Sequence, residues 1–188
     1  MSARLRPLAR QLPAGILRFD PATLRANSGD AWMALALPEA VAFPRNTAQV
    51  SKILAFCHRR RIPVTTRGGG RGYVGGCVPV KGGLVLSTIR MNRILEISKA
   101  DGLAVVQPGL ITANLAATVA RKNLFYPPDP ASLKESTIGG NIATNAGGPR
   151  CLKYGVTRTY VLGLEVVLRM APPSVWAGVP TRTAPASI

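Results

Sequence analysis

Ten residues from Arg67 to Gly76 carry the clearest chemical signal in the chain, because six of them are glycine. Successive backbone N–H groups without side-chain cover form a nest that binds anions, and Arg67 and Arg71 flank this one. An ordinary hairpin turn needs fewer glycines than this segment contains. The composition therefore predicts a cradle for phosphate.

Residues 70–75 also fit the pattern G-x-G-x-x-G, which usually marks a dinucleotide pyrophosphate at the N-terminus of a helix. The surrounding sequence does not fit that fingerprint. A predicted strand at 83–87 follows where the helix is required, and no acidic residue stands between the glycines and Glu96. A P-loop is excluded as well, since no Gly-Lys-Ser/Thr is present. We expect a strand–loop–strand unit that binds the anion through its backbone.

A second run of small residues, from Ser136 to Gly148, allows backbone to approach something flat or charged. It follows the segment 126–130, Tyr-Pro-Pro-Asp-Pro, where three prolines forbid regular structure. Both segments are therefore expected to be loops.

Apolar periodicity predicts the elements that position these segments. Helices are expected from the N-cap Thr47 to the basic run at 59–61, and from Thr112 to about Lys122. Residues 50, 53, 54 and 57 form one stripe of the first helix, which places Cys57 in the core. Strands are expected at 40–44, 62–66, 83–87, 93–98, 103–107 and 160–168. No pattern is evident before residue 38.

The composition excludes a disordered tail, since 47% of the 188 residues are hydrophobic and only 17% are charged. A net charge of +16, from 24 Lys and Arg against 8 Asp and Glu, indicates an anionic partner. The basic residues are scattered, and their densest run ends a predicted helix, where cations are favourable. This distribution favours solvated arginines, and a basic nucleic-acid-binding module remains the alternative.

Three cysteines and one histidine form neither a disulfide framework nor a zinc site. We expect an intracellular, cytoplasmic chain without a metal. No stretch has the unbroken apolar length of a membrane span, and the first residues lack the apolar region of a signal peptide.

In order and separation, four motifs resemble the FAD-binding (PCMH-type) domain of the vanillyl-alcohol oxidase and p-cresol methylhydroxylase superfamily. The motifs are residues 67–76, 126–130, 138–148 and 151–155, within a resemblance that covers roughly residues 38–168. Within this superfamily the motifs resemble in particular those of the FAD subunit of glycolate oxidase, with D-lactate and D-2-hydroxyglutarate dehydrogenases as relatives.

The resemblance implies an α+β fold of two subdomains, with FAD stretched between them and the second subdomain incomplete. The implied organisation is an N-terminal extension at 1–37, a first subdomain at 38–98, a second at 99–168 and a tail at 169–188.

The resemblance also implies the residues that bind FAD. Those matching the pyrophosphate loop are Arg67, Gly68, Gly69, Gly70, Arg71, Gly72, Gly75 and Gly76. Those matching the segments that line the isoalloxazine ring and the ribityl chain are Pro128, Asp129, Thr137, Gly139, Gly140, Asn141, Ala143, Asn145, Gly147, Gly148 and Gly155. Related loops often carry Thr or Ser at the positions of Arg71 and Val74, so Arg71 is expected to supply a charge-assisted bond instead.

For function, the resemblance implies a flavin-dependent oxidoreductase that oxidises a 2-hydroxy acid of the glycolate or D-lactate type to the 2-oxo acid. Members that attach FAD covalently often use a histidine in the pyrophosphate loop, which has none here, so FAD is expected to bind noncovalently. The basic and metal-binding residues of the intact relatives lie in a substrate domain. No catalytic residue is therefore expected in this chain. A partner subunit or an electron acceptor is expected to act with it. A FAD-binding subunit completed by a separate chain is a further alternative.

Residues 169–188 depart from the family, which continues with Ala-Asp-Gly after the last predicted strand. Back-translation from the third base of the Leu168 codon permits that continuation, and the two glycine codons it forces fall where the family has glycine. The segment is therefore expected to be a frameshifted tail, and the chain to be inactive alone.

Overall fold

The computed structural model describes residues 3–168 and 174–177, which form short helices and strands. The helices are α1 (Arg6–Ala9), α2 (Pro21–Ala26), α3 (Thr47–Arg59), α4 (Thr112–Ala120), α5 (Ile138–Thr144) and α6 (Cys151–Tyr154). The strands are β1 (Leu17–Arg18), β2 (Ala40–Ala42), β3 (Val64–Arg67), β4 (Leu84–Ser87), β5 (Ile94–Ser98), β6 (Leu103–Val106), β7 (Gly163–Val166) and β8 (Ser174–Ala177). The predicted α+β class is confirmed.

One sheet has the strand order β1-β2-β4-β3, in which β2, β4 and β3 run parallel and β1 pairs antiparallel with β2. All four residues of β4 are buried, as expected for a central strand of a parallel sheet. Because β3 and β4 are parallel, the glycine loop that follows Arg67 starts at the C-terminal end of β3, and β4 begins at the opposite end of the strands.

The first hydrophobic core lies between this sheet, α3 and the N-terminal segment. Residues 1–37, for which the sequence pattern predicts no elements, contribute four buried side chains to this core, namely Leu5, Leu8, Leu12 and Ile16. The segment also supplies β1 to the sheet. The structure thus packs this segment as part of the first folded unit.

Helix α3 presents Ile53, Phe56 and Cys57 to the first core. Its N-cap is Asn46, whose side chain accepts a hydrogen bond from Gln49 N at 2.9 Å, rather than the expected Thr47. The carboxamide oxygen reaches the third helical N–H from Asn46, and the following residue is already helical. The prediction that Cys57 lies in the core is confirmed, and burial raises the pKa of its thiol to about 11.

The second core lies between α4, α5 and the antiparallel hairpin β5–β6. Leu110, Leu115, Val119 and Ile138 are buried there, and Ile94 and Ile97 of β5 pack against them. Along the chain, the last residue of the first core is Leu86 and the first residue packed against the second is Ile94. The expected subdomain boundary after residue 98 stays a prediction.

Helix α5 corrects the expectation that residues 136–148 form a loop. The Thr137 side chain caps it by accepting from Gly140 N at 3.3 Å, and Asn145, at φ 48°, ends it in the left-handed conformation. Ile138 and Asn141 are buried on its inner face. A cap at each end and an inward face outweigh the low helix propensity of the two glycines.

The segment 169–188 is described only at 174–177, where β8 pairs antiparallel with β7. The sequence pattern gives no strand there. The rest of the expected frameshifted tail lies outside the described residues. Within the part of the chain that the structure describes, no helix is long and apolar enough to cross a membrane.

Candidate functional site

The two glycine-rich segments predicted from the sequence meet in the structure. A Cβ on Gly68 would overlap the Thr137 hydroxyl oxygen, and a Cβ on Gly69 would overlap the Glu135 carbonyl oxygen. Glycine at both positions therefore allows the loop after β3 to lie directly on the backbone that leads into α5. The site is assembled by this close approach.

Two glycines of the loop are not required by the protein's own packing. No described atom lies within 4 Å of a Cβ built on Gly72 or Gly76, and neither residue has a positive φ. Gly70 and Gly75 differ, because their φ values of 73° and 72° favour glycine by themselves. The space beside Gly72 and Gly76 is therefore open in the protein itself.

Backbone donors are available along the same loop. Among the described residues, the N–H groups of Gly69, Gly70, Arg71, Gly72 and Gly76 donate no hydrogen bond to a protein acceptor. The Gly75 N–H differs from these, since it donates to Asp30 Oδ2 at 3.0 Å. The loop thus offers several N–H donors beside an open surface, which is the arrangement that binds a phosphate group.

The N-terminal segment holds this loop in place. Ala31 N donates to Gly72 O at 3.1 Å, and the Trp32 and Tyr73 rings meet edge to face with centroids 6.0 Å apart. Sequence reasoning missed this segment, because its contacts are long-range and leave no periodicity. The Gly29-Asp30 pair, typical of a turn, is a local signal within it.

The side chains of Arg67 and Arg71 contact other segments of the chain. Arg67 Nη1 donates to Gly29 O at 2.5 Å and lies 3.5 Å from Cys77 Sγ. Arg71 Nη2 lies 2.6 Å from Glu135 Oε1, and both side chains are about half exposed, at 47% and 52%. Arg67 thus fastens the loop to the N-terminal segment, and Arg71 joins it to the residues before α5.

A second cluster surrounds Asp129. A Cβ on Gly148 would overlap the Asp129 carbonyl oxygen, so the segments 126–130 and 145–150 lie against each other. The Asp129 carboxylate accepts from Arg150, with Nε at 3.1 Å from Oδ2 and the backbone N at 3.3 Å from Oδ1. The carboxylate is therefore neutralised within the protein.

The remaining predicted residues lie on or after α5, except Pro128, which lies in the segment 126–130. Asn145 Oδ1 accepts from Arg158 N at 3.0 Å, and Gly139 packs against Pro108, where its N–H donates to the carbonyl oxygen at 2.8 Å. Gly155 has a φ of 81° beside Thr159. Of the others, Pro128 is buried, Gly140 and Gly147 are partly buried, and Ala143 is exposed. Their roles toward a ligand stay predictions.

Asn141 faces the interior of the protein. Its amide is buried and donates to Thr112 Oγ1 at 2.8 Å. The Thr112 hydroxyl in turn lies 3.0 Å from the Ser136 carbonyl oxygen and 2.8 Å from the Ser136 hydroxyl. This buried network ties the start of α4 to the start of α5, and the Asn141 side chain supports the site from behind.

Replacing Thr112 by valine is expected to lower the free energy of unfolding by about 1–3 kcal/mol. The reason is that the buried Asn141 amide loses its acceptor. Thr112→Ser keeps the hydroxyl and is expected to cost only about 1 kcal/mol, for one buried methyl group. Urea denaturation of the two variants measures the difference. Equal losses would show that the hydroxyl does not hold the network together.

No group of three or more His, Cys, Asp and Glu residues that could hold a metal ion occurs in the described ranges. The candidate site presents backbone donors, glycines with open space beside them and paired charges. An extended anionic ligand lying on backbone is what such a surface accommodates.

The fold is the α+β FAD-binding fold of the p-cresol methylhydroxylase type. The structure of p-cresol methylhydroxylase with substrate bound superposes with a TM-score of 0.78, over 92% of this chain and 34% of that chain, at 22% sequence identity. At this identity the likeness shows the fold alone.

The chain belongs to the family of FAD binding domains, whose family model matches residues 38–171. The glycolate oxidase subunit GlcD of Bacillus subtilis is 56% identical over 132 residues, which are 70% of this chain and 28% of that protein. A D-lactate dehydrogenase of Anaerostipes hadrus is 42% identical over 133 residues, 71% of this chain and 28% of the relative. The resemblance inferred from the four motifs is confirmed.

The aligned region spans little more than a quarter of the length of these relatives. The loop after β3 fits the pyrophosphate of FAD, because it offers unbonded N–H groups and glycines with open space beside them. The assignment of individual residues to parts of FAD stays a prediction.

Proposed function

We propose that this chain is the FAD-binding portion of an oxidoreductase that converts a 2-hydroxy acid to the 2-oxo acid. The glycine cradle beside α5 carries the proposal structurally. Relatives named as a glycolate oxidase subunit and a D-lactate dehydrogenase support the substrate class, since both named substrates are 2-hydroxy acids. When bound, FAD supplies an acceptor for the hydride that leaves the carbon bearing the substrate hydroxyl.

The residues of this chain bind and orient the cofactor in this proposal. The N–H groups from Gly69 to Gly72 donate to the pyrophosphate, and the segment from Thr137 to Gly148 supports the ring. We assign no described residue of this chain as the acceptor of the substrate proton. A partner subunit or a further domain completes the reaction.

Noncovalent attachment of FAD is part of the proposal, because the loop from Arg67 to Gly76 carries no histidine. Acid precipitation of the FAD-loaded chain is the check, and the flavin is expected in the supernatant. Flavin that stays with the precipitated protein would contradict this part.

Replacing Gly72 or Gly76 by alanine is expected to lower the affinity for FAD about tenfold, which corresponds to about 1.4 kcal/mol. The added methyl group enters the open space where the pyrophosphate is proposed to lie and meets no described protein atom. Quenching of flavin fluorescence in a titration with FAD measures the affinity.

The thermal midpoint of the same variants without FAD is the control. It should be unchanged or slightly higher, since alanine at a compatible φ restricts the unfolded chain. Riboflavin, which has no pyrophosphate, should bind the variants and the parent chain equally. Unchanged FAD affinity in both variants would contradict the cradle. Polyanion binding that falls steeply with salt, without FAD binding, would instead favour the nucleic-acid alternative.

A further inference from the structure

The ion pair between Arg71 and Glu135 connects the two segments that form the proposed pyrophosphate site. Arg71 stands in the loop between Gly70 and Gly72, and Glu135 immediately precedes the residues that lead into α5. The side chains meet with Arg71 Nη2 and Glu135 Oε1 2.6 Å apart. The pair therefore lies beside the cradle, between the two segments that form it.

The backbone of Glu135 is fixed. Its N–H donates to Ser132 O at 2.8 Å, its carbonyl oxygen touches Gly69, and the next residue, Ser136, accepts from Thr112 N at 3.0 Å. The carboxylate is thus held beside the loop by anchored backbone. Its negative charge lies where the proposed ligand brings two further negative charges.

Opening this pair costs little, because both side chains are about half exposed to solvent. A pyrophosphate bound along the loop offers Arg71 a more highly charged partner than one carboxylate does. The single positive charge of Arg71 cannot neutralise both the carboxylate and the pyrophosphate, and a carboxylate beside the phosphates repels them.

We infer that Glu135 competes with the pyrophosphate of FAD for Arg71, so that cofactor binding includes an exchange of partners by this guanidinium. The inference rests on the proposed function, because it places the pyrophosphate in the cradle. Glu135 then lowers the affinity for FAD and the rate at which FAD binds, although it belongs to the site.

The experiment compares Glu135→Gln with the parent chain in titrations with FAD, riboflavin and inorganic pyrophosphate. Glu135→Gln is expected to raise the affinity for FAD about five- to tenfold, since it removes one negative charge near the phosphates. Affinity for pyrophosphate should rise in parallel, and affinity for riboflavin should stay within about twofold because riboflavin has no phosphate. Arg71→Gln is expected to lower the affinity for FAD about tenfold.

Glu96→Gln is the matched control, since it makes the same change of net charge on strand β5. It should leave all three affinities unchanged. A fall in FAD affinity in Glu135→Gln would overturn the inference and show that Glu135 positions Arg71. Equal gains for FAD and riboflavin would also overturn it, because the effect would then not involve the phosphates.

Failure of the proposed function has a different signature. If FAD does not bind any variant but pyrophosphate binds Glu135→Gln more tightly than the parent chain, the competition stands and the flavin assignment falls. If neither ligand binds the parent chain or Glu135→Gln, both proposals are overturned.

Discussion

Gly69→Ala is expected to lower the affinity of the chain for FAD about a hundredfold. A Cβ at this position would overlap the carbonyl oxygen of Glu135, which is backbone and has no rotamer with which to move away. The loop after β3 must then separate from the segment that leads into α5. Losing one or two charge-assisted N–H bonds to phosphate, at about 1.5–3 kcal/mol each, accounts for this change.

The titration with FAD is made well below the thermal midpoint of the variant, with circular dichroism to confirm that it is folded. Gly83→Ala is the control, because a Cβ there also overlaps a backbone carbonyl oxygen, that of Pro63. Gly83 lies at the opposite end of the strands from the glycine loop. Both variants lose stability, and only Gly69→Ala should lose affinity for FAD once folded. A similar loss of affinity in both would show that general destabilisation is responsible.

Several parts of the fold could be predicted from the sequence because their patterns are local. Strand β4 is a short apolar run, and α3 shows its buried stripe at Ile53 and Cys57. Hydrophobic periodicity is sufficient for such elements. The hairpin β5–β6 was predictable for the same reason.

The N-terminal segment and α5 could not be predicted in this way. Leu5, Leu8 and Ile16 are buried only because sheet and helix surfaces from later in the chain cover them. Helix α5 contains two glycines, and its stability depends on the Thr137 cap and on packing against the second core. Tertiary contacts outweigh local propensity in both cases.

The location of the candidate site in the sequence was predictable, but the role of each of its residues was not. Six glycines in ten residues indicate the loop, yet only the structure separates Gly69, which is needed for packing, from Gly72, which faces open space. The partners Asp30 and Glu135 lie 45 and 64 residues away from Gly75 and Arg71. No local pattern connects residues at such separations.

Gly83→Ala is also expected to cause a large loss of folding stability, and the adjacent Gly82 allows its cause to be separated. Both glycines have a positive φ, 72° at Gly83 and 62° at Gly82. Alanine in this left-handed region costs about 1–2 kcal/mol at either position. The collision at Gly83 is expected to add about 1–3 kcal/mol, as overpacking of a closed interior does.

The overlap of an added Cβ with Pro63 O matters because Gly83 immediately precedes β4 and holds the start of this strand by hydrogen bonds. Its N–H donates to Glu39 Oε1 at 3.2 Å, its carbonyl oxygen accepts from Glu39 N at 2.7 Å, and Leu84 N donates to Pro63 O at 2.9 Å. Moving Pro63 away from an added methyl group therefore weakens the pairing of β3 with β4. At Gly82 the nearest atom to an added Cβ is Glu39 Oε1 at 3.9 Å, which is an ordinary contact distance. Urea denaturation of the two variants should give a larger loss for Gly83→Ala, and equal losses would mean that backbone conformation alone requires glycine at both positions.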